Sequence, residues 1–392
     1  MSVFGPDVLD LGDWLPVASG EPAAWPTGEV LLTGATGFFG AALLERLLLD
    51  TDARIVCLAR GRDADDARDR VESALAARSV AGPLDRVTVL PGDLARPDLG
   101  LDDATWRRLA GSVDLVLHNG ADVRWWGDVE TIQATNIDSL RTLLRFAGTS
   151  RPKRVAFVSS LAIFNAESHA DAEAAFETPP PPSAAGLRSP YVQSKWVGER
   201  LCAAAADRGV ATTVLRVPYL LPDTRIPVRN PEGVIDLVIE ASIALGTAPA
   251  IGRCIPSAPV DVCADLACRI LAATANRPPT KASFHHLVPF ETPAWDRILA
   301  AAAAVGHRLE RRPADEWFEL LRARSRDRPE LRPAVVLVGH DPARTLGQGL
   351  NICRLRFDDA VTRSLLPDLP PPRRFRDDEL EAMVRAIAAD RR

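Results

Sequence analysis

From Glu29 to Leu49 the chain reads EVLLTGATGFFGAALLERLLL, and this stretch limits the possible folds more than any other. A short β-prone run meets glycines at 34, 37 and 40, and an apolar helical run follows at once. A strand that turns through G-x-x-G-x-x-G into a helix offers backbone N–H groups and the positive helix end to a pyrophosphate. Missing side chains let the backbone approach a ligand and let helix pack on strand. Three glycines at this spacing arise by chance with odds of roughly one in ten, so the flanking strand and helix carry the reading. The alternative is an ordinary glycine-rich turn.

The alternation continues. RIVCLAR (Arg54 to Arg60), RVTVLPGD (Arg86 to Asp93), VDLVLHNGA (Val113 to Ala121), RVAFVSS (Arg154 to Ser160) and ATTVLRV (Ala211 to Val217) read as five further strands. Helical segments at Ala64–Ala77, Thr105–Leu109, Val129–Phe146 and Tyr191–Arg208 lie between them. Strands alternating with helices imply a doubly wound parallel sheet, the α/β Rossmann architecture. Strands that are apolar almost throughout suit a sheet covered on both faces. Beyond Val217 come a polar loop from Pro222 to Pro231, an apolar helix from Val234 to Leu245 and a turn into a helix over Pro259–Ala273. A late strand over Phe284–Phe290 follows, then mainly amphipathic helix. The expected division is a lead segment 1–27, a dinucleotide-binding domain 28–222 with returning segments about 252–290, and a smaller, mainly helical substrate lobe of 223–251 and 291–392. Pro179–Pro182 reads as an exposed loop.

About 20 residues past the glycine turn, where an NAD site usually carries an acid, the chain has Arg60. A carboxylate there would take the ribose hydroxyls and repel a 2′-phosphate, whereas an arginine pairs with that phosphate. Arg60 therefore points to NADPH, against the plainer reading of a solvated surface arginine. Asp93 and Leu94 follow the third strand, where an acid can accept the adenine amino group; Asp93 serves equally as a helix cap. Thr33, Gly34, Thr36, Gly37, Phe38 and Gly40 of the turn, with Asn119, Gly120 and Ala121 after the fourth strand, complete the expected cofactor wall. His118 reads as structural or as pocket wall rather than as a base, and Asn136 as a brace for the fourth strand, with a part in proton relay as the lesser alternative.

Composition sharpens one motif. Lys153, Lys195 and Lys281 are the only lysines, and Tyr191 and Tyr219 the only tyrosines. Tyr191 and Lys195 nevertheless form Y-x-x-x-K at the start of a predicted helix, a spacing that chance supplies with odds of about 0.015. Both side chains then project from one face. A carbonyl being reduced needs a donor at its oxygen, and a free phenol of pKa about 10 is a poor acid–base group near neutrality. An ammonium one turn away is expected to favour the phenolate and to bring Tyr191 nearer working pH; the same ammonium can hold the nicotinamide ribose. Ser159 and Ser160 compete as a third donor at the end of the fifth strand, with Ser160 preferred. Core packing of Tyr191 with a surface Lys195 is the alternative.

Other functions find little support. A net charge of -5 argues against a nucleic-acid partner. No segment reaches the roughly 18 uninterrupted apolar residues of a membrane span. The opening MSVFGPDVLDLGDWL lacks the basic start and apolar stretch of a secretory signal. Cys57, Cys202, Cys254, Cys263, Cys268 and Cys353 form no CxxC pair, so buried free thiols in a reducing cytoplasm are expected, with no metal.

LLTGATGFFGAALLERLL, PGDLARPDLGL, LVLHNGADV, YVQSKWVGERL, APVDV and FHHLVPF together resemble the thioester reductase domains of nonribosomal peptide and polyketide synthases and of carboxylic acid reductases. The resemblance runs from about Val30 to about Leu320 and includes GHRLERRPADEW; YVQSKWVGERL is its most specific piece. It implies NADPH-dependent reduction of a phosphopantetheine thioester on an acyl or peptidyl carrier protein to an aldehyde, sometimes onward to an alcohol. It implies Ser160, Tyr191 and Lys195 as catalytic, with Gly34, Gly37, Gly40, Arg60 and Asp93 at the cofactor. RVPYLLPD (Arg216 to Asp223) departs from the family's Arg-Pro-Gly run, and Arg124-Trp125-Trp126 replaces a smaller, asparagine-containing stretch at the expected substrate mouth. No adenylation or carrier domain accompanies the motifs, so either an enzyme acting in trans or an excised domain is expected. Arg322–Arg328 and Arg373–Arg376 are candidate carrier-docking segments, or solvated helix faces. The competing readings are a fatty acyl-CoA reductase, a sugar-nucleotide or ketone reductase or epimerase, and a nucleotide sensor that has lost catalysis. Arg60 and the long helical lobe count against the epimerase; an intact Ser160, Tyr191 and Lys195 count against the sensor.

Overall fold

The computed structural model describes residues 2–12, 28–79, 84–125, 127–226, 228–230, 233–251, 255–275, 281–339 and 351–389. Trp126, Cys254, most of the lead segment 1–27 and part of the Pro222–Pro231 loop lie outside the described residues. Seven strands form the central sheet: β1 (Glu29–Thr33), β2 (Arg54–Ala59), β3 (Val87–Pro91), β4 (Val113–His118), β5 (Arg154–Ser160), β6 (Thr212–Val217) and β7 (Ser283–His286). Their order is β7-β6-β5-β4-β1-β2-β3, with every neighbouring pair parallel. The chain reverses direction across the sheet between β1 and β4, the switch point where such folds bind ligands beyond the carboxyl ends of the strands. The doubly wound Rossmann expectation holds.

The strands form where the sequence is apolar at successive positions, because helices cover both faces. All five residues of β1 are buried, as are five of the six in β2. Helices α1 (Phe38–Asp50), α2 (Ala64–Ala76), α3 (Asp103–Ser112), α4 (Ser139–Ala147), α5 (Pro190–Ala206), α6 (Val234–Leu245) and α7 (Val260–Thr274) follow in chain order. α1 packs against α7 and α2, while α5 lies on β5, β6 and α4. Side-chain caps set several starts: Asp63 Oδ1 accepts the Asp66 N–H (2.8 Å), and Asp102 Oδ1 accepts the Thr105 N–H (2.7 Å). The Asp102 cap makes α3 longer than the Thr105–Leu109 core legible in the sequence. The Val129–Phe146 helix is also interrupted by a π turn over Gln133–Asp138.

A mainly helical assembly completes the molecule. α6 packs with α8 (Trp295–Ala304), α9 (Ala314–Arg324), α10 (Arg332–Gly339) and α11 (Asp377–Ala389), directly or through one another. The buried indoles of Trp317 and Trp295 donate to the carbonyls of Thr247 and Pro249 (2.9 Å each), so neither buried N–H goes unpaired. The late strand ends at His286 rather than Phe290; Phe290 instead bridges Arg373.

One of these expectations needs correction. Pro179–Pro182 is not simply an exposed loop: Pro180 and Pro181 are buried, because the Trp196 indole on α5 donates to the Pro181 carbonyl (2.7 Å). The first part of the lead segment also packs. Phe4, Val8 and Leu11 join the core, and the Val3 N–H donates to Gln193 on α5 (2.7 Å).

Candidate active site

The proposed site residues sit at the carboxyl edge of the sheet, at or beyond the ends of β1 to β5, or on α5. Gly34 adopts φ +73, and a Cβ there would lie 2.6 Å from the Gly120 Cα. A Cβ on Gly40 would lie 1.9 Å from the Gly34 carbonyl oxygen, so the first turn of α1 rests directly on the turn that precedes it. Asn119 Nδ2 donates to that same carbonyl (3.2 Å) and ties the segment after β4 to the turn. Gly120 approaches Leu94 so closely that a Cβ would meet the leucine Cδ1 at 2.7 Å. Gly37 is exposed, and Thr36, Phe38 and Ala121 are partly so. The structure thus gathers Thr33, Gly34, Gly40, Leu94, Asn119 and Gly120 into one cradle that has room for backbone-to-ligand approach and none for side chains.

Thr33 and His118 close the floor. The Thr33 hydroxyl oxygen accepts the Gly120 N–H (3.0 Å) and lies 2.8 Å from His118 Nδ1. Burial, aided by the nearby Lys195 charge, pushes the His118 imidazole down to about 3. It is therefore neutral at working pH and serves as wall, stacked 5.9 Å from Phe157. Asn136, presented by the π turn, donates to the Asp122 carbonyl (3.0 Å) and to Ser194 Oγ on α5 (2.9 Å), and accepts the Asp122 N–H (2.7 Å). It braces the segment after β4 against α5, from a π turn of the kind that recurs at functional sites.

Arg60 is exposed at the end of β2 and makes no hydrogen bond or ion pair among the described residues. Burial would raise the Asp122 carboxyl, but Arg124 and, more weakly, the Arg60 charge hold it below its ordinary value. Arg60 thus faces the same edge of the sheet as the Asn119–Ala121 segment. Asp93 Oδ1 accepts the Ala95 N–H (3.0 Å), the turn-capping geometry. The cradle, the exposed Gly37 and the unpartnered guanidinium fit a dinucleotide with a phosphorylated ribose.

On α5, Ser189 caps the helix and Pro190 occupies its first turn, which places Tyr191 and Lys195 one turn apart beside the end of β5. The Ser189 hydroxyl also donates to the Trp125 carbonyl (2.6 Å), linking the Arg124–Trp125 segment to this helix. Lys195 Nζ donates to the Val158 carbonyl (2.8 Å) and lies 4.9 Å from the Phe157 ring and 5.7 Å from the Tyr191 ring. Burial pushes this ammonium down to about 8. The expected acidification of Tyr191 does not occur: burial pushes the phenol up to about 12. Desolvation of the phenolate outweighs an ammonium that is turned toward Val158. Tyr191 is consequently a protonated donor.

The two serines separate cleanly. Ser159 is buried and its hydroxyl donates to Glu199 (2.6 Å). Ser160 is partly exposed at the strand end, and its oxygen accepts the Ala162 N–H (3.1 Å), leaving its proton to donate. Sequence reasoning missed the group behind Ser159. Glu199 and Arg216 form a fully buried ion pair (2.7 Å). The guanidinium also reaches the carbonyls of Thr178 (2.7 Å) and Phe176 (3.2 Å) and lies 3.2 Å from His286 Nε2. A charged residue inside an apolar strand, with an acid four positions after Lys195, was the available signal.

Fold, phosphate turn and tyrosine–lysine pair define a nicotinamide-dinucleotide-dependent oxidoreductase of the extended short-chain dehydrogenase/reductase class. Residues 32–267 match the profile of the NAD-binding male sterility protein family, and the chain belongs to that family. One component of the linear gramicidin synthase of Brevibacillus parabrevis is 31% identical over 311 residues, covering 79% of this chain and 6% of that protein. Isonitrile lipopeptide synthase of Streptomyces coeruleorubidus is 33% identical over 368 residues, covering 92% of this chain and 24% of that protein. The chain therefore spans a quarter or less of the length of these relatives. Among solved structures, the terminal R domain from the myxalamid PKS-NRPS biosynthetic pathway superposes with a TM-score of 0.82 at 27% identity, covering 99% of this chain and 96% of that one. An archaeal thiolation-reductase di-domain superposes at 0.73 with 18% identity over 94% of this chain and 77% of that one, a likeness of fold alone. Among the described residues no helix is long and apolar enough to cross a membrane, and no cluster of metal-ligating side chains occurs. Cys57, Cys202, Cys263 and Cys268 are buried free thiols, and Cys353 is buried as well.

Proposed function

We propose that this chain reduces an acyl or peptidyl thioester, carried on the phosphopantetheine arm of a carrier protein, to an aldehyde with NADPH, and in some settings onward to an alcohol. The observation that carries this reading is the placement of Tyr191 and a buried Lys195 one turn apart on α5, against the strand that ends at Ser160, in a chain that matches a terminal R domain over 99% of its length. The cradle of Thr33, Gly34, Gly37 and Gly40 and the segment Asn119–Ala121 would hold the dinucleotide, with Thr36, Phe38, Asp93 and Leu94 at its margins. Arg60 would take the 2′-phosphate and Lys195 the nicotinamide ribose. When bound, NADPH supplies hydride.

As the carbonyl is reduced, negative charge builds on one oxygen. Ser160 Oγ–H and Tyr191 O–H are the donors that stabilise it, and Tyr191 can give up its proton. Lys195 supplies positive charge one turn away. A thioester carbonyl is neutral and yields a single oxyanion, whose collapse expels a thiolate. A free carboxylate would have to become a dianion, beyond what two hydroxyls can hold. The helical assembly of α6 and α8 to α11 supplies the substrate side of the cleft. Docking through Arg322–Arg328 or Arg373–Arg376 has weak support. Arg322, Arg328, Arg373, Arg374 and Arg376 pair with Glu319, Glu330, Glu379, Glu291 and Asp378 respectively, so that only Arg324 and Arg326 of these segments are without an ion pair among the described residues.

A panel of acyl-pantetheine thioesters, ketones and nucleotide sugars, each with NADPH, tests the reading by product mass spectrometry. Aldehyde from the thioesters alone is expected; turnover confined to ketones or nucleotide sugars would transfer the chain to the competing reductases. Cofactor choice provides a second expectation. NADPH should be preferred over NADH, and Arg60→Asp should lower kcat/KM for NADPH roughly tenfold to a hundredfold, the worth of a charge-assisted hydrogen bond. Equal kcat/KM for both cofactors in the unmutated protein would remove Arg60 from the site.

A further inference from the structure

Tyr219 is the second of the two tyrosines, and the mechanism above leaves it unused. In the β5–β6 register Val217 lies opposite Ser160, so Tyr219, two residues further on, leaves the sheet at the edge where Ser160 stands. Tyr219–Leu221 then pairs in parallel with Ser257–Pro259, which fixes the backbone at that point. The phenol oxygen accepts the N–H of Val234, the first residue of α6. A phenol has one proton and acceptor capacity on its oxygen. Val234 uses the acceptor side, and among the described residues nothing takes the proton. Tyr219 is partly exposed at that edge of the sheet. Its neighbour there is Tyr191, close enough that charge on that phenol would oppose ionisation of this one. Asp236, in the first turn of α6, is fully buried, and burial pushes its carboxyl up to about 8.

We propose that Tyr219 is a substrate-positioning residue: anchored by the Val234 N–H, its hydroxyl donates a hydrogen bond to an oxygen of the acyl group beside the carbonyl served by Tyr191. The inference rests on the thioester reading above and deepens it, because it names a substrate class. That class is acyl thioesters with an amide or hydroxyl oxygen within two or three atoms of the reacting carbonyl, as distinct from plain alkanoyl thioesters. The hydroxyl acts on binding and not on bond making, so KM should carry the effect. A Tyr219 that merely capped α6 would alter stability and would treat both kinds of substrate alike.

The test compares an N-acyl-aminoacyl pantetheine thioester with an alkanoyl pantetheine thioester of matched length, both with NADPH. The unmutated protein should favour the amide-bearing substrate. Tyr219→Phe should raise KM for that substrate roughly threefold to tenfold, with kcat changed by less than about threefold and the alkanoyl KM nearly unchanged, as expected for one neutral hydrogen bond. Val234→Pro serves should the phenylalanine variant fold poorly. Proline is tolerated at the first helical position, and Gly233 already has the extended conformation (φ -72, ψ 131) that precedes a proline. It removes the anchoring N–H and keeps the phenol, so it should show part of the same selective rise in KM. Equal effects on both substrates, or none, in whichever variant folds would overturn the role of Tyr219 while leaving the thioester reading intact. An unmutated protein that reduced neither thioester would overturn that reading and this inference together.

Discussion

Tyr191→Phe is expected to lower kcat by about 10²–10⁴ while the affinity for NADPH stays within a few-fold of the unmutated protein. The substitution removes one oxygen and leaves the ring beside Lys195. The phenol is held at about 12 by burial, so it reaches the reaction protonated, as a donor to the developing oxyanion. Cofactor affinity is expected to rest elsewhere, on the glycine cradle and Arg60. Lys195→Ala should damage turnover and cofactor affinity together, because in the proposed role one ammonium would serve both the reacting oxygen and the ribose. Steady-state kinetics with fluorescence titration of NADPH separates these outcomes. A phenylalanine variant retaining more than about a tenth of kcat would show that another group protonates the product oxygen.

The second large effect concerns folding. Glu199→Ala is expected to destabilise the protein by about 3–5 kcal/mol, because it leaves the Arg216 guanidinium buried without its counter-charge. The pair is fully desolvated and lies at the junction of α5, β6, β7 and the Phe176–Thr178 segment. Ser159 would also lose the acceptor of its buried hydroxyl. Replacing both partners by apolar residues of similar volume, as in Glu199→Met with Arg216→Met, should cost less than the single substitution, since no charge is then stranded. Urea unfolding midpoints measure the difference. A Glu199→Ala variant as stable as the unmutated protein would mean that water reaches Arg216 and screens it.

The parts of this molecule that local spacing determines were legible from the chain alone. Apolar runs gave all seven strands of the sheet, and the strand–glycine–helix passage placed the cradle, because each depends on residues adjacent in sequence. Tyr191 and Lys195 stood out for the same reason, one helical turn apart in a chain nearly devoid of both residue types. Long-range contacts were not legible. The Asn136 bond to Ser194 spans 58 positions and depends on a π turn that no spacing announces. Glu199 meets Arg216 only after β6 has taken its place beside β5. The phenol's protonation was misjudged because sequence shows a charge one turn away but not the solvent stripped from the ring. Pro180 and Pro181 looked exposed, yet their burial depends on an indole from α5.

The central claim is that the reducible group is a thioester on a pantetheine arm. The most direct measurement loads an acyl group on a carrier protein, adds this chain and NADPH, and follows the absorbance of NADPH together with released product. Loss of NADPH in step with aldehyde release is expected, or two equivalents consumed per alcohol, while the matching free carboxylic acid is left untouched. Consumption of NADPH with the free acid, or none with the loaded carrier while a ketone or nucleotide sugar is turned over, would contradict it.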